Sequence, residues 1–235
     1  MTPARRLLAS IAGAAALSFS AAYAEPVRHV GIYVQPYYES ASQPGGTPRV
    51  AVGRSFDGLA SNKREDILAI RDRIVAEPKL VTPMTLMVLA IRLYDVGLRD
   101  DAVFWFYAAK DRYLTLSGVV DVGAGGLAQV EDAVRNFSTL AGPIINGYAF
   151  CDIANQQAIR ARALDWVEQN PYAAIFMERF PAKTGDRQQA LAEAVALMRS
   201  NAAKERAYLL DAANAAKYRA DRARTGTDEK YCWKS

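Results

Sequence analysis

The chain has 235 residues, 51% of them apolar and 23% charged, a balance that supports a buried core and argues against disorder. Its formal net charge is +4, which falls to +2 without Arg5 and Arg6. A surface so nearly balanced gives no electrostatic basis for binding nucleic acid or an anionic membrane.

Arg5 and Arg6 open a short positive segment, residues 7–22 are apolar and alanine-rich, and Ala22-Tyr23-Ala24 is a small-x-small cleavage signal. That order is the pattern of a secretory signal peptide cut after Ala24. The expectation is a leader over 1–24 and one mature domain over 25–235, periplasmic or secreted. No cysteine adjoins the cleavage site, so no lipid is attached there. The longest later apolar run, residues 84–98, is interrupted by Arg92 and Asp95, so no stable membrane insertion is expected.

Residues 25–60 differ in texture from the rest. His29-Val30-Gly31-Ile32-Tyr33-Val34-Gln35 and Arg49-Val50-Ala51-Val52-Gly53 are short β-branched runs, and the Ser/Pro/Gly-rich residues 39–48 between them are loop chemistry. They predict a small N-terminal β element packed on the remainder, since a lone hairpin is marginal. If the strand continues past Pro36, alternation puts Tyr33 and Tyr37 on one face, next to Tyr38, either packed on the helices or presented as a binding surface.

Residues 61–235 read as about six to seven helices in a bundle or array. Ser61 or Asn62 caps a helix that Pro78 stops; Thr82-Pro83 begins a second, which Gly97 ends. A third runs from Asp100 or Asp101 to about Leu116 and is apolar nearly all round from Val103 to Ala109, the mark of a central helix. A fourth covers 127–140 and is expected to break at Gly142-Pro143. Asp152 opens the next, closed by Asn170-Pro171. Gly185 or Asp186 begins a long alanine-rich helix, bent or broken near residues 211–214, that reaches Arg224 before a tail of Tyr231-Cys232-Trp233.

Leu89-Ala90-Ile91-Arg92-Leu93-Tyr94-Asp95-Val96-Gly97 and Ala102-Val103-Phe104-Trp105-Phe106-Tyr107-Ala108-Ala109 form a helical hairpin, with small Ala90, Gly97, Ala102 and Ala109 allowing close approach. It resembles one tetratricopeptide-type repeat, which implies a peptide-binding helical surface; no second copy recurs at a fixed period. The whole chain resembles uncharacterised exported bacterial proteins. Trp105 and Tyr107 either pack the core or line a pocket.

Val119-Val120-Asp121-Val122-Gly123-Ala124-Gly125-Gly126-Leu127-Ala128 is similar to the glycine loop of S-adenosylmethionine-dependent methyltransferases. That fold needs later strands alternating with helices, and helical patterns follow instead, so the string is read as a loop between helices and no cofactor is expected. His29 is the only histidine, which removes multi-histidine metal sites and argues against Ser-His-Asp or Cys-His catalysis. The only cysteines, Cys151 and Cys232, are expected to pair in an oxidising compartment. With no neighbouring histidine and no Cys-x-x-Cys motif, their role is read as structural.

Asp95, Asp100 and Asp101 cluster at the hairpin turn beside Arg92 and Arg99. They are either helix-start and ion-pair residues or the carboxylates of an envelope hydrolase. The reading preferred from sequence is a non-enzymatic, exported protein that binds a protein or peptide in the bacterial envelope, with Tyr33, Tyr37, Tyr38, Trp105 and Tyr107 as candidate contacts. A specialised version is an inhibitor of an envelope-active enzyme; the alternative is a carboxylate-dependent hydrolase.

Overall fold

The computed structural model describes residues 25–30, 56–124 and 127–233. Among them are nine α-helices: α1 Phe56–Ala60, α2 Arg64–Ala76, α3 Pro83–Asp95, α4 Arg99–Val119, α5 Ala128–Ala149, α6 Ile153–Gln169, α7 Arg187–Leu210, α8 Ala212–Arg224 and α9 Thr227–Tyr231. Single 3-10 turns lie at Pro78–Leu80 and Ala173–Phe176. The chain is mainly α. The expected leader and nearly all of the expected β element lie outside the described residues; His29 and Val30 are described and are not in a strand.

Local signals place several of the helix ends. Thr82 accepts a hydrogen bond from the Thr85 backbone N–H at 3.0 Å, with Pro83 in the first turn, where its missing donor goes unmissed. Asp152, Asp186 and Asp211 likewise cap α6, α7 and α8, each accepting from the N–H three residues on. Asp211 is the break expected in the alanine-rich segment. Gly97 sits at φ 82°, a left-handed conformation that suits the α3–α4 turn to glycine.

α4 is the axis of the molecule and packs against α3, α5, α6 and α7. Val103, Trp105, Phe106, Ala108 and Ala109 are buried, as an apolar helix with no polar face requires. α3 is buried nearly throughout, from Pro83 to Tyr94. A second core forms at the other end of α4, where Leu116, Val119 and Val120 meet Tyr172, Ile175 and Phe180. There Val120 makes an isolated antiparallel bridge to Ala182.

Two expectations are corrected. α5 does not break at Gly142-Pro143 but runs through Pro143 to Ala149. Interior proline costs about 3 kcal/mol. Here Val134, Ala141, Ile145 and Ala149 recur on one face and are all buried, and Pro143 itself is exposed. Burial of that stripe outweighs the lost hydrogen bond, whose freed acceptor belongs to exposed Thr139. The helix count also rises, because the short α1 and α9 at the two ends carry no long periodic pattern.

Candidate functional site

Among the described residues a groove opens between α4 and α7. Gly118 makes the crossing possible: a Cβ on it would lie 2.7 Å from the Ala194 Cβ, closer than such atoms approach. Beside this contact opens a groove of about 370 Å³, walled by Leu114, Ser117, Ala194, Leu197, Met198 and Asn201. Leu114 and Leu197 are 46% and 61% exposed, so the walls are apolar and open to solvent. α7 is the outermost long helix: of its 24 residues only Ala190, Met198 and Leu209 are buried. Its start is anchored by Arg187, which donates to the Ile175 carbonyl at 2.6 Å and to that of Phe180.

A buried polar network fixes the far half of α7. Gln156 of α6 donates to the Tyr107 hydroxyl at 3.0 Å and to Glu205 of α7 at 2.9 Å, while its own oxygen accepts from Gln157 at 2.7 Å. Tyr107 in turn donates to Asn146 of α5 at 3.3 Å. Burial pushes the Tyr107 phenol up to about 12, so it keeps the proton it donates. Next to it, Asp111 pairs with both terminal nitrogens of Arg160. Burial pushes the Asp111 carboxyl up, and Arg160 opposes that rise. Four helices are thus tied through side chains whose hydrogen bonds are satisfied.

The candidate contact residues divide accordingly. Trp105 is 2% exposed and stacks edge-on with Phe104 and Trp166, each 5.0 Å away between ring centroids. Tyr107 belongs to the polar network. Both face the interior, and neither walls the groove. Tyr33, Tyr37 and Tyr38 lie outside the described residues.

The acidic residues at the hairpin turn face different partners. Asp95 accepts from Arg92 and from the Val30 N–H, both at 2.9 Å. Asp100 accepts from Tyr148 at 2.8 Å and Asn155 at 3.1 Å. Asp101 pairs with Arg71 at 3.1 Å. Burial pushes the Asp95 carboxyl up; the Val30 N–H and the Arg92 charge oppose the rise. In the described part of the glycine string, Val119 ends α4, Ala128 begins α5, and Asp121 accepts from the Gly123 N–H at 3.1 Å. Among the described residues no group of three or more His, Cys, Asp or Glu is placed to hold a metal ion.

A third feature joins residues distant in sequence. Cys151 and Cys232 form a disulfide, with Cα atoms 5.5 Å apart. It ties α9 and the residues after it to the end of α5. The Val27 N–H donates to the Lys230 carbonyl at 2.9 Å, and the Val27 carbonyl accepts from Tyr94 at 3.0 Å and from the Trp233 indole at 3.3 Å. Arg99 donates to the Trp233 carbonyl at 3.0 Å, its guanidinium 4.0 Å from the Trp233 ring and 4.4 Å from that of Tyr148. Residues 25–30 and the tail therefore hold each other against the α3–α4 hairpin.

Sequence reasoning named Arg92 and Arg99 only as neighbours of the acidic residues and passed over Arg112 and Arg222; all four are buried. For Arg92 and Arg112 the available signal was an arginine at a position where the helical period calls for an apolar residue. The acceptors, mostly backbone carbonyls far away in sequence, carried no signal.

Groove, network and clasp define a mainly helical protein with its two described ends fastened together. An uncharacterized protein of Haemophilus influenzae is 32% identical to it over 210 residues, covering 89% of this chain and 81% of that protein. The chain belongs to the same bacterial family as that protein. No protein-family model matches the chain, that of the tetratricopeptide repeat included. No solved structure matches it.

Proposed function

We propose that the mature chain is an exported, non-enzymatic protein of the bacterial envelope that binds another protein or a peptide through the α4–α7 groove. The observation that carries this reading is the exposure of Leu114 and Leu197 along a cleft of about 370 Å³. Apolar side chains left in water beside a cleft fit a partner that inserts its own apolar side chains there, as in helix-in-groove recognition. Inhibition of an envelope enzyme is the specialised form of this activity. Export is supported by the leader pattern of residues 1–24 and by a disulfide between Cys151 and Cys232. Among the described residues no helix is long and apolar enough to cross a membrane.

Two measurements test the reading. N-terminal sequencing of the protein from the periplasmic fraction is expected to begin at Glu25; a chain that keeps Met1 and stays in the cytoplasm would refute export. For the groove, Leu114→Asp and Leu197→Asp together are expected to weaken retention of an envelope partner at least tenfold, roughly 1.4 kcal/mol or more. Because both side chains are exposed, helical content should not change. Equal retention by wild type and the double variant would remove the groove as the binding site.

A further inference from the structure

The disulfide has a neighbour that sequence spacing concealed. Arg222, near the end of α8, is buried, yet its guanidinium reaches both sulfurs, at 3.6 Å from Cys151 and 3.2 Å from Cys232. It is held there by two further bonds, from Nε to Asp228 at 2.6 Å and from the same terminal nitrogen to the Gly147 carbonyl at 2.9 Å. Cys151 is exposed and Cys232 partly so, which leaves the bond open to reagents in solution. A cation fixed against a sulfur stabilises thiolate over thiol, and exposed disulfides next to such groups exchange readily.

We propose that the Cys151–Cys232 bond is a thiol–disulfide exchange site for a dithiol reductant, and that its opening releases the clasp between the two described ends of the chain. The charges facing the sulfurs choose the direction. Arg222 faces both, whereas the Asp228 carboxylate lies 3.4 Å from Cys232. Asp152, next in sequence to Cys151, is engaged in capping the Asn155 N–H. Cys151 therefore sees the cation without a facing carboxylate and is the better leaving group, while Cys232 is the sulfur better kept protonated.

In the first step a reductant thiolate attacks the Cys232 sulfur, a mixed disulfide forms, and Cys151 departs with the electron pair as a thiolate beside Arg222. In the second, the reductant's other thiol gives up its proton and attacks its own sulfur in the mixed disulfide. Cys232 leaves and takes up a proton, so the reductant becomes a disulfide as the protein gains two electrons.

The consequence follows from what the tail carries. The Tyr231 ring lies over Gly147 so closely that a Cβ there would sit 2.5 Å from it. Lys230 and Trp233 hold Val27, and the adjoining Val30 holds Asp95. With the bond open, residues 227–233 keep only noncovalent contacts, and the same contacts secure residues 25–30. A surface centred on Tyr94, Arg99 and Tyr148 is uncovered when they let go.

The test is made on the full mature chain with dithiothreitol as reductant. In the reduced wild type, alkylation by iodoacetamide across a pH series is expected to show Cys151 reacting half-maximally at least one pH unit below an ordinary thiol, whose value is about 8.5. Cys232 is expected not to show that shift. Arg222→Gln is expected to slow reduction about tenfold, and Arg222→Lys to restore much of the rate. Hydrogen exchange on reduction is expected to rise at residues 25–30 and 227–233 while α3 and α4 stay protected.

Ordinary titration of both thiols in the wild type overturns the exchange site, as does an Arg222→Gln rate equal to or above wild type. Unchanged exchange at residues 25–30, or protection lost throughout α3 and α4, overturns the clasp. The wild-type alkylation profile involves no substitution, so a variant that folds poorly does not hide the answer.

Discussion

Replacing Arg112 with leucine is expected to lower stability by about 3–5 kcal/mol, the largest single-residue effect in the molecule. Arg112 has no exposed surface. One terminal nitrogen donates to the Pro78 and Val81 carbonyls at 2.7 and 2.8 Å, and the other to the Asn170 carbonyl at 2.7 Å. Those acceptors belong to the turn before α3 and to the end of α6, so one side chain of α4 closes two chain reversals. Its guanidinium also lies 4.5 Å from the Trp166 ring.

Among the described residues no carboxylate pairs with it; burial pushes its pKa down to about 10, which leaves it charged at neutral pH. The charge is carried at a cost, but leucine would take the arginine donor from three partly buried carbonyls, leaving those of Val81 and Asn170 stranded while that of Pro78 keeps the Val81 N–H. Arg112→Lys has a compact ammonium in place of the planar fork and is expected to recover only part of the loss. Urea unfolding reads both variants. A midpoint unchanged in Arg112→Leu would mean that water reaches the carbonyls.

Cys232→Ser is expected to cost roughly 2–4 kcal/mol and to lower the unfolding temperature accordingly. The bond joins residues 81 apart in sequence, so in its absence the unfolded chain regains a large loop's freedom. The loss should appear first at the tail: hydrogen exchange is expected to quicken at residues 227–233 before the α3–α4 hairpin opens. A variant as stable as wild type, with the tail still protected, would show that Tyr231, Trp233 and Arg99 hold the clasp without the covalent bond.

Much of the fold was legible in the sequence because its signals act over a few residues. Thr82-Pro83, Asp152 and Asp186 start their helices where expected, since a capping side chain reaches only to the N–H two or three positions on. Gly97 ends α3, and Asp211 divides α7 from α8, by equally local rules. The unbroken apolar circumference of residues 103–109 announced a central helix without any knowledge of its neighbours. The pairing of Cys151 with Cys232 was expected from there being two cysteines behind a leader-like sequence pattern.

What tertiary structure alone decided depends on partners far apart along the chain. α5 runs through Pro143 because Ala141 and Ile145 meet a core made by other helices, and no local rule weighs that burial. Trp105 and Tyr107, open between packing and binding from sequence, turn inward because Trp166 and Gln156 stand opposite them. The groove arises only where Gly118 lets α7 cross α4, although Gly118 and Ala194 are 76 positions apart in sequence. Arg222 reaches Cys151 across 71 positions, and Arg99 reaches Trp233 across 134. Periodicity and capping are set by neighbours along the chain, whereas burial, charge pairing and clefts belong to the packed whole.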